Sequence, residues 1–219
     1  MRYPNADKGI KKIFIAEILS IVAALLVAAV VIMAHSNNVN PSMSGEEVTQ
    51  ALQAGNAGTP FVIMSVVMML VMLVSYVLNL IGISNASKDE ESFKRALWVL
   101  LASIVFAIGA AILENRNARV ANWLKVPSTL FELVVTLFVL EGIGNLARNL
   151  GKKQIVDMSA QCRTWLMCAL VLSAAAEIFV ALGSKGTVLT TTSGVASALL
   201  QIVAYVIYLR VLNKARFMQ

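Results

Sequence analysis

The sequence predicts an all-α integral membrane protein, a bundle of six transmembrane helices, and three observations carry that expectation. Of its 219 residues 58% are hydrophobic and only 14% charged, against about a quarter charged in an ordinary soluble domain. The mean hydropathy of +0.78 agrees. The apolar residues also fall in runs close to the length of about 20 that a helix needs to cross a bilayer core of about 30 Å.

The runs extend from about Ile13 to Ala34, Phe61 to Ile83, Leu97 to Leu113, Leu130 to Leu150, Trp165 to Gly183 and Leu189 to Leu212. The first follows Lys8, Lys11 and Lys12, and its 22 residues exceed the roughly 7–15 of a signal-peptide apolar region, so it reads as a retained anchor. Residues 35–59 form the one long connection, an extracytoplasmic loop. Within it Ser44 and Glu47 have capping-box spacing, and Val48 and Leu52 follow before Gly55, which predicts a short amphipathic helix. Thr59 and Pro60 are an N-cap and a first-turn proline for the second span. Ser87 with Glu90 and Thr129 with Glu132 repeat the capping-box spacing ahead of the third and fourth spans. Gly151 reads as the C-terminal cap of the fourth. Pro4, Pro41, Pro60 and Pro127 all lie outside the apolar interiors, so no span is expected to break at mid-membrane.

The spans also divide into three hairpins that read as a repeat. Tyr76-Val77-Leu78-Asn79-Leu80 aligns with Tyr205-Val206-Ile207-Tyr208-Leu209, and Leu80-Ile81-Gly82-Ile83-Ser84-Asn85 with Leu140-Glu141-Gly142-Ile143-Gly144-Asn145. A triplication would set Ile81, Glu141 and Arg210 at equivalent places, with Glu141 in reach of Arg210.

Charge supplies the orientation. Fourteen Lys and Arg flank the side that carries the termini and four the other side, which places both termini in the cytoplasm of a cell (cytoplasmic) membrane by the positive-inside rule. The net charge of +6 is therefore a topology signal that also suits anionic lipid headgroups, and not a nucleic-acid patch.

Polar residues within the spans are the candidate sites, because a charge in hydrocarbon costs at least about 2.5 kcal/mol and is expected to face the bundle interior. Helical spacing groups Glu17 with Ser20, Ala24, Ala28 and His35; Ser65 with Met69, Met72, Tyr76 and Asn79; and Glu141 with Asn145 and Arg148. It likewise groups Ala169, Ser173, Glu177 and Ala181, and Gly194, Ser197, Gln201, Tyr205 and Tyr208. These stripes predict a shared polar interior. The candidate site is Glu17, Asn79, Glu141, Glu177, Gln201, Tyr76, Tyr205 and Arg210, with Arg210 as counter-ion to Glu141. Glu132 reads as a helix cap.

Two functions fit such an interior: binding or transport of a small solute or ion, or an integral subunit that assembles with other membrane proteins or with itself. Catalysis is not expected, since the only histidine, His35, sits at a span edge and no Asp lies in any span. Two cysteines, Cys162 and Cys168, make neither a disulfide framework nor a metal cage, and no cofactor motif occurs; both read as small apolar fillers. The expected partners are the lipid bilayer, a small solute or ion, and a membrane protein.

Overall fold

The computed structural model describes residues 3–36, 58–114, 118–181 and 188–218, with side chains at all of these except 114–126, 128–129, 176–181, 188–195 and 197–198. Six helices follow one another among the described residues: α1 Pro4–Ser36, α2 Gly58–Ala86, α3 Glu91–Glu114, α4 Ala118–Asn149, α5 Lys153–Ala181 and α6 Val188–Ala215. Five of them, α1 to α5, hold stretches long and apolar enough to cross a membrane. The chain is a multi-pass helical membrane protein. The sixth expected span coincides with α6, where many side chains lie outside the described residues. The amphipathic helix expected between Ser44 and Gly55 lies outside them altogether.

The helices run past their apolar stretches into charged flanks, where one-turn ion pairs support them: Lys11 to Asp7 at 2.7 Å in α1, and Arg95 to Glu91 at 3.3 Å in α3. Two expected helix starts are corrected. Ser87 ends α2, its hydroxyl donating to the Ser84 carbonyl at 2.7 Å, and Glu90 immediately precedes α3. A hydroxyl three residues beyond a helical carbonyl can close a helix as readily as open one, and the short turn left no room for both. Nor does α4 start at Thr129, since it is already helical from Ala118 and carries Pro127 inside it. Proline removes one main-chain hydrogen bond, and here it does so ahead of the apolar stretch Leu130–Asn149, where that bond is least needed.

The chain forms two compact units: Ile15–Asn79, and Met1–Phe14 together with Leu80–Gln219. In Ile15–Asn79, α1 meets α2 along small residues. Ser75 is buried and donates to the Ala16 carbonyl at 2.8 Å, and Ser20 lies 2.7 Å from the Ser75 hydroxyl. The buried seam takes Ala16 and Ala23 from α1, seven residues apart, with Ser75 from α2. The stripes expected to point inward are displaced from it. Ala24, Ala28 and His35 are exposed, and Met69 and Tyr76 are 67% and 40% exposed. Without water to drive apolar faces together, a helix pair in lipid closes on the stripe of small residues that allows the nearest backbone approach.

In the larger unit α4 is the central helix, packed against α3, α5 and, more lightly, α6. Phe93, Val139, Leu140, Ile143, Leu146, Val211 and Leu212 are among its fully buried side chains, with Ile10, Ile13, Ile83 and Cys162. Along α5 the buried positions Ile155, Ser159, Cys162, Leu166, Ala169 and Ser173 advance by alternate steps of four and three, the seam of a left-handed helix pairing. The expected small face of Ala169 and Ser173 is thus buried, whereas the side chains of Glu177 and Ala181 lie outside the described residues. Cys162 is buried, as a filler should be, and Cys168 is exposed.

The ends of these helices are tied together by named groups. Asp89, in the turn after α2, accepts from the Ala6 backbone N–H at 2.7 Å and from the Asn5 amide at 2.9 Å, capping the first turn of α1 from outside that helix. Gly151 has φ +69°; its N–H bonds the Arg148 carbonyl and the Lys152 N–H bonds the Ala147 carbonyl, the paired bonds of a glycine-terminated helix. The cap expected at Gly151 is present.

Candidate functional site

Several polar groups in the larger unit find a partner on a neighbouring element. Asn145 of α4 donates to Glu90 at 2.9 Å and to Ser92 at 3.3 Å. Ser159 of α5 donates to the Leu140 carbonyl of α4, and the Cys162 thiol donates to the Ala204 carbonyl of α6 at 3.3 Å. Gln201 of α6 donates through Nε2 to the Ser173 hydroxyl of α5 at 2.8 Å. These bonds fix the register of α3 to α6, each adding about 0.6–2 kcal/mol in lipid.

Beside the last of them a groove of about 410 Å³ opens between α4, α5 and α6. Leu133, Leu166, Ile202 and Val206 form its walls, and Thr136, Gln201, Tyr205 and Tyr208 supply polar atoms. The two tyrosines lie one turn apart with ring centroids 6.3 Å apart; Tyr208 is almost fully buried and Tyr205 half-buried. Their hydroxyls, the Thr136 hydroxyl and the Gln201 amide are neutral donors and acceptors in an apolar surround. Such a surface suits an uncharged or weakly polar head on an apolar body.

The predicted site residues are distributed unequally. Gln201 and Tyr205 line the groove, with Tyr208 from the same predicted stripe. Glu141 and Arg210 belong to the same unit, but neither lines the groove. Glu141 is half-buried and Arg210 exposed, and among the described residues the ion pairs are Lys11–Asp7 and Arg95–Glu91, so the expected Glu141–Arg210 and Glu141–Arg148 pairs are not made. On α6 Arg210 falls between the buried Tyr208 and Val211 but on the exposed side of the helix.

Glu17, Tyr76 and Asn79 belong to Ile15–Asn79. Glu17 is half-buried there, Tyr76 points largely outward, and Asn79 holds a buried side-chain oxygen that has no hydrogen-bond partner among the described residues. The Glu177 side chain lies outside the described residues.

Sequence reasoning missed Thr136, Leu133 and Leu166 as lining residues. Thr136 has a signal only in retrospect: it stands three residues after Leu133, on the face of α4 that meets α6. Asp89 was missed as well, because a cap drawn from a distant turn leaves no spacing to read.

No family model, curated protein or solved structure matches the chain.

Proposed function

We propose that this membrane protein binds a small amphipathic molecule in the groove between α4, α5 and α6, reached from within the bilayer. The observation that carries the reading is the lining itself: four aliphatic walls with four neutral polar side chains around about 410 Å³, within the range of roughly 300–1,000 Å³ typical of small-molecule sites. A strongly charged solute has no counter-charge among these residues. The role is one of binding and not of catalysis, in a cell membrane with both termini in the cytoplasm.

A photoactivatable fatty alcohol tests the site. Labelling of the segment from Leu199 to Tyr208 is expected to saturate in the purified protein and to fall several-fold when Val206→Trp fills the groove. Labelling that rises linearly with probe and ignores Val206→Trp would reject a site. The orientation is tested separately in a Cys168→Ser background, where Ser36→Cys is expected to react with an impermeant maleimide added outside intact cells; protection there reverses the topology.

A second reading is assembly with another membrane protein. Helix α2 exposes Val62, Ile63, Val66, Leu70, Leu73 and Val77 around much of its circumference, a surface equally able to meet lipid or a partner helix. Cross-linking from Leu70 to a distinct protein in native membranes is the expected result of that reading, and cross-linking to lipid alone removes it.

A further inference from the structure

Where the α4–α5 turn meets the end of α6, a second cleft of about 510 Å³ is lined by Lys152, Lys153, Asn213 and Lys214, with Phe217 and Met218 as an apolar side. Among the described residues no acidic one lines it and none of the three lysines enters an ion pair. Nor, among the described residues, does any of the three ammonium groups enter a hydrogen bond.

Lys153 is moreover the first residue of α5, and Lys152 precedes it, which sets two cations at the positive end of a 29-residue helix, where an anion is favoured instead. The cleft also stands just beyond the apolar stretch of α4 that ends at Asn149, at the depth of lipid headgroups. Phe217, 71% exposed, has its ring 4.6 Å from the Arg216 guanidinium, which also stacks 4.3 Å from Phe14. That stacking holds an apolar face beside the ammonium groups.

We propose that this cleft is a binding site for one anionic phospholipid, its phosphate held by Lys152, Lys153 and Lys214 and its acyl chains lying along Phe217. Three free cations supply the charge complementarity, and Asn213 supplies a neutral donor to the headgroup. A zwitterionic lipid gains less, because its own cation repels the lysines.

The test is native mass spectrometry of the full chain in detergent, titrated with dioleoyl phosphatidylglycerol, dioleoyl phosphatidylcholine or inorganic phosphate. Replacing Lys152, Lys153 and Lys214 by Gln is expected to weaken the first phosphatidylglycerol adduct about 100-fold, at about tenfold or less per lysine. Replacing the exposed Lys8, Lys88 and Lys94 by Gln, an equal change in charge, is expected to weaken it less than about threefold. Equal losses in the two variants overturn the site in favour of general attraction to basic flanks. Displacement of the lipid by inorganic phosphate at equal concentration overturns the lipid in favour of a free anion. The unaltered protein gives an independent reading: phosphatidylglycerol with a headgroup diazirine is expected to label residues 152–154 and 213–217 in preference to 88–95, and even labelling overturns the proposal.

Discussion

Gly82 and Gly142 stand at the same place in two similar stretches of sequence, and both are buried, yet main chain faces one and only an aromatic ring the other. A Cβ on Gly82 would meet α1 at Ile13 Cγ1 at 2.7 Å and at two main-chain atoms, the Gly9 oxygen at 2.9 Å and the Ile13 nitrogen at 3.0 Å, and a Cβ on Gly9 would lie 2.5 Å from the Gly82 carbonyl oxygen and 2.8 Å from the Ala86 nitrogen. At Gly142 the space is taken by the ring of Phe93, with which a Cβ would collide at 2.5 Å. One glycine lets two backbones touch, and the other receives an aromatic knob. The same residue thus makes one contact that cannot relax and one that can, because a ring can tilt or be truncated and a helix backbone cannot.

The largest expected effect breaks the first contact. Gly9→Val forces α1 away from α2 and is expected to cost about 3 kcal/mol or more, read as a lowered midpoint of thermal unfolding in detergent. No truncation of a facing side chain should restore it. Gly142→Ala is expected to cost about 2 kcal/mol, and Phe93→Leu in the same chain should recover at least about 1 kcal/mol of it in a double-mutant cycle. An additive cycle would mean that Gly142 is needed for its backbone and not for the ring.

Gly151 extends the comparison to a glycine chosen for conformation alone, since at φ +69° a Cβ would meet nothing within 4 Å. Gly151→Ala is expected to cost about 1 kcal/mol, with Gly151→Asn costing less, measured in the same unfolding assay. The aligned asparagines come next. Asn145 holds Glu90 and Ser92, while the Asn85 side chain makes no hydrogen bond among the described residues. Asn145→Ala is expected to lose about 1 kcal/mol and Asn85→Ala close to nothing. Smallest of all, Arg210→Gln should change stability by less than about 0.5 kcal/mol and show no coupling to Glu141→Gln, as an exposed and unpaired cation requires.

Much of the fold was legible because lipid imposes it residue by residue. Each run of apolar residues has to form a helix to satisfy its own backbone, so α1 to α5 appear where the runs stand. Gly151 was legible for a similar reason, its cap being a local conformation of one residue. The helix faces were less so. Ala169 and Ser173 were placed inward correctly, but Met69, Met72 and Tyr76 turn outward while Ser75 takes the seam. Spacing identifies which residues share a face and leaves open which face meets a neighbour.

The candidate site shows the same division. Gln201 and Tyr205 could be picked as polar residues in an apolar helix, but nothing in α6 names Thr136 or Leu133 as their companions across the groove. Composition and the placing of charge determined that the chain is helical, where its apolar helices lie and which flanks gather the basic residues, since each follows from the cost of putting one residue type in one solvent. Only the tertiary structure decided that Glu141 and Arg210 stay apart, that Asp89 caps α1, and that Lys152, Lys153 and Lys214 share one cleft. Those are contacts between distant segments, set by how side chains of particular size interlock, and no single segment of the sequence contains them.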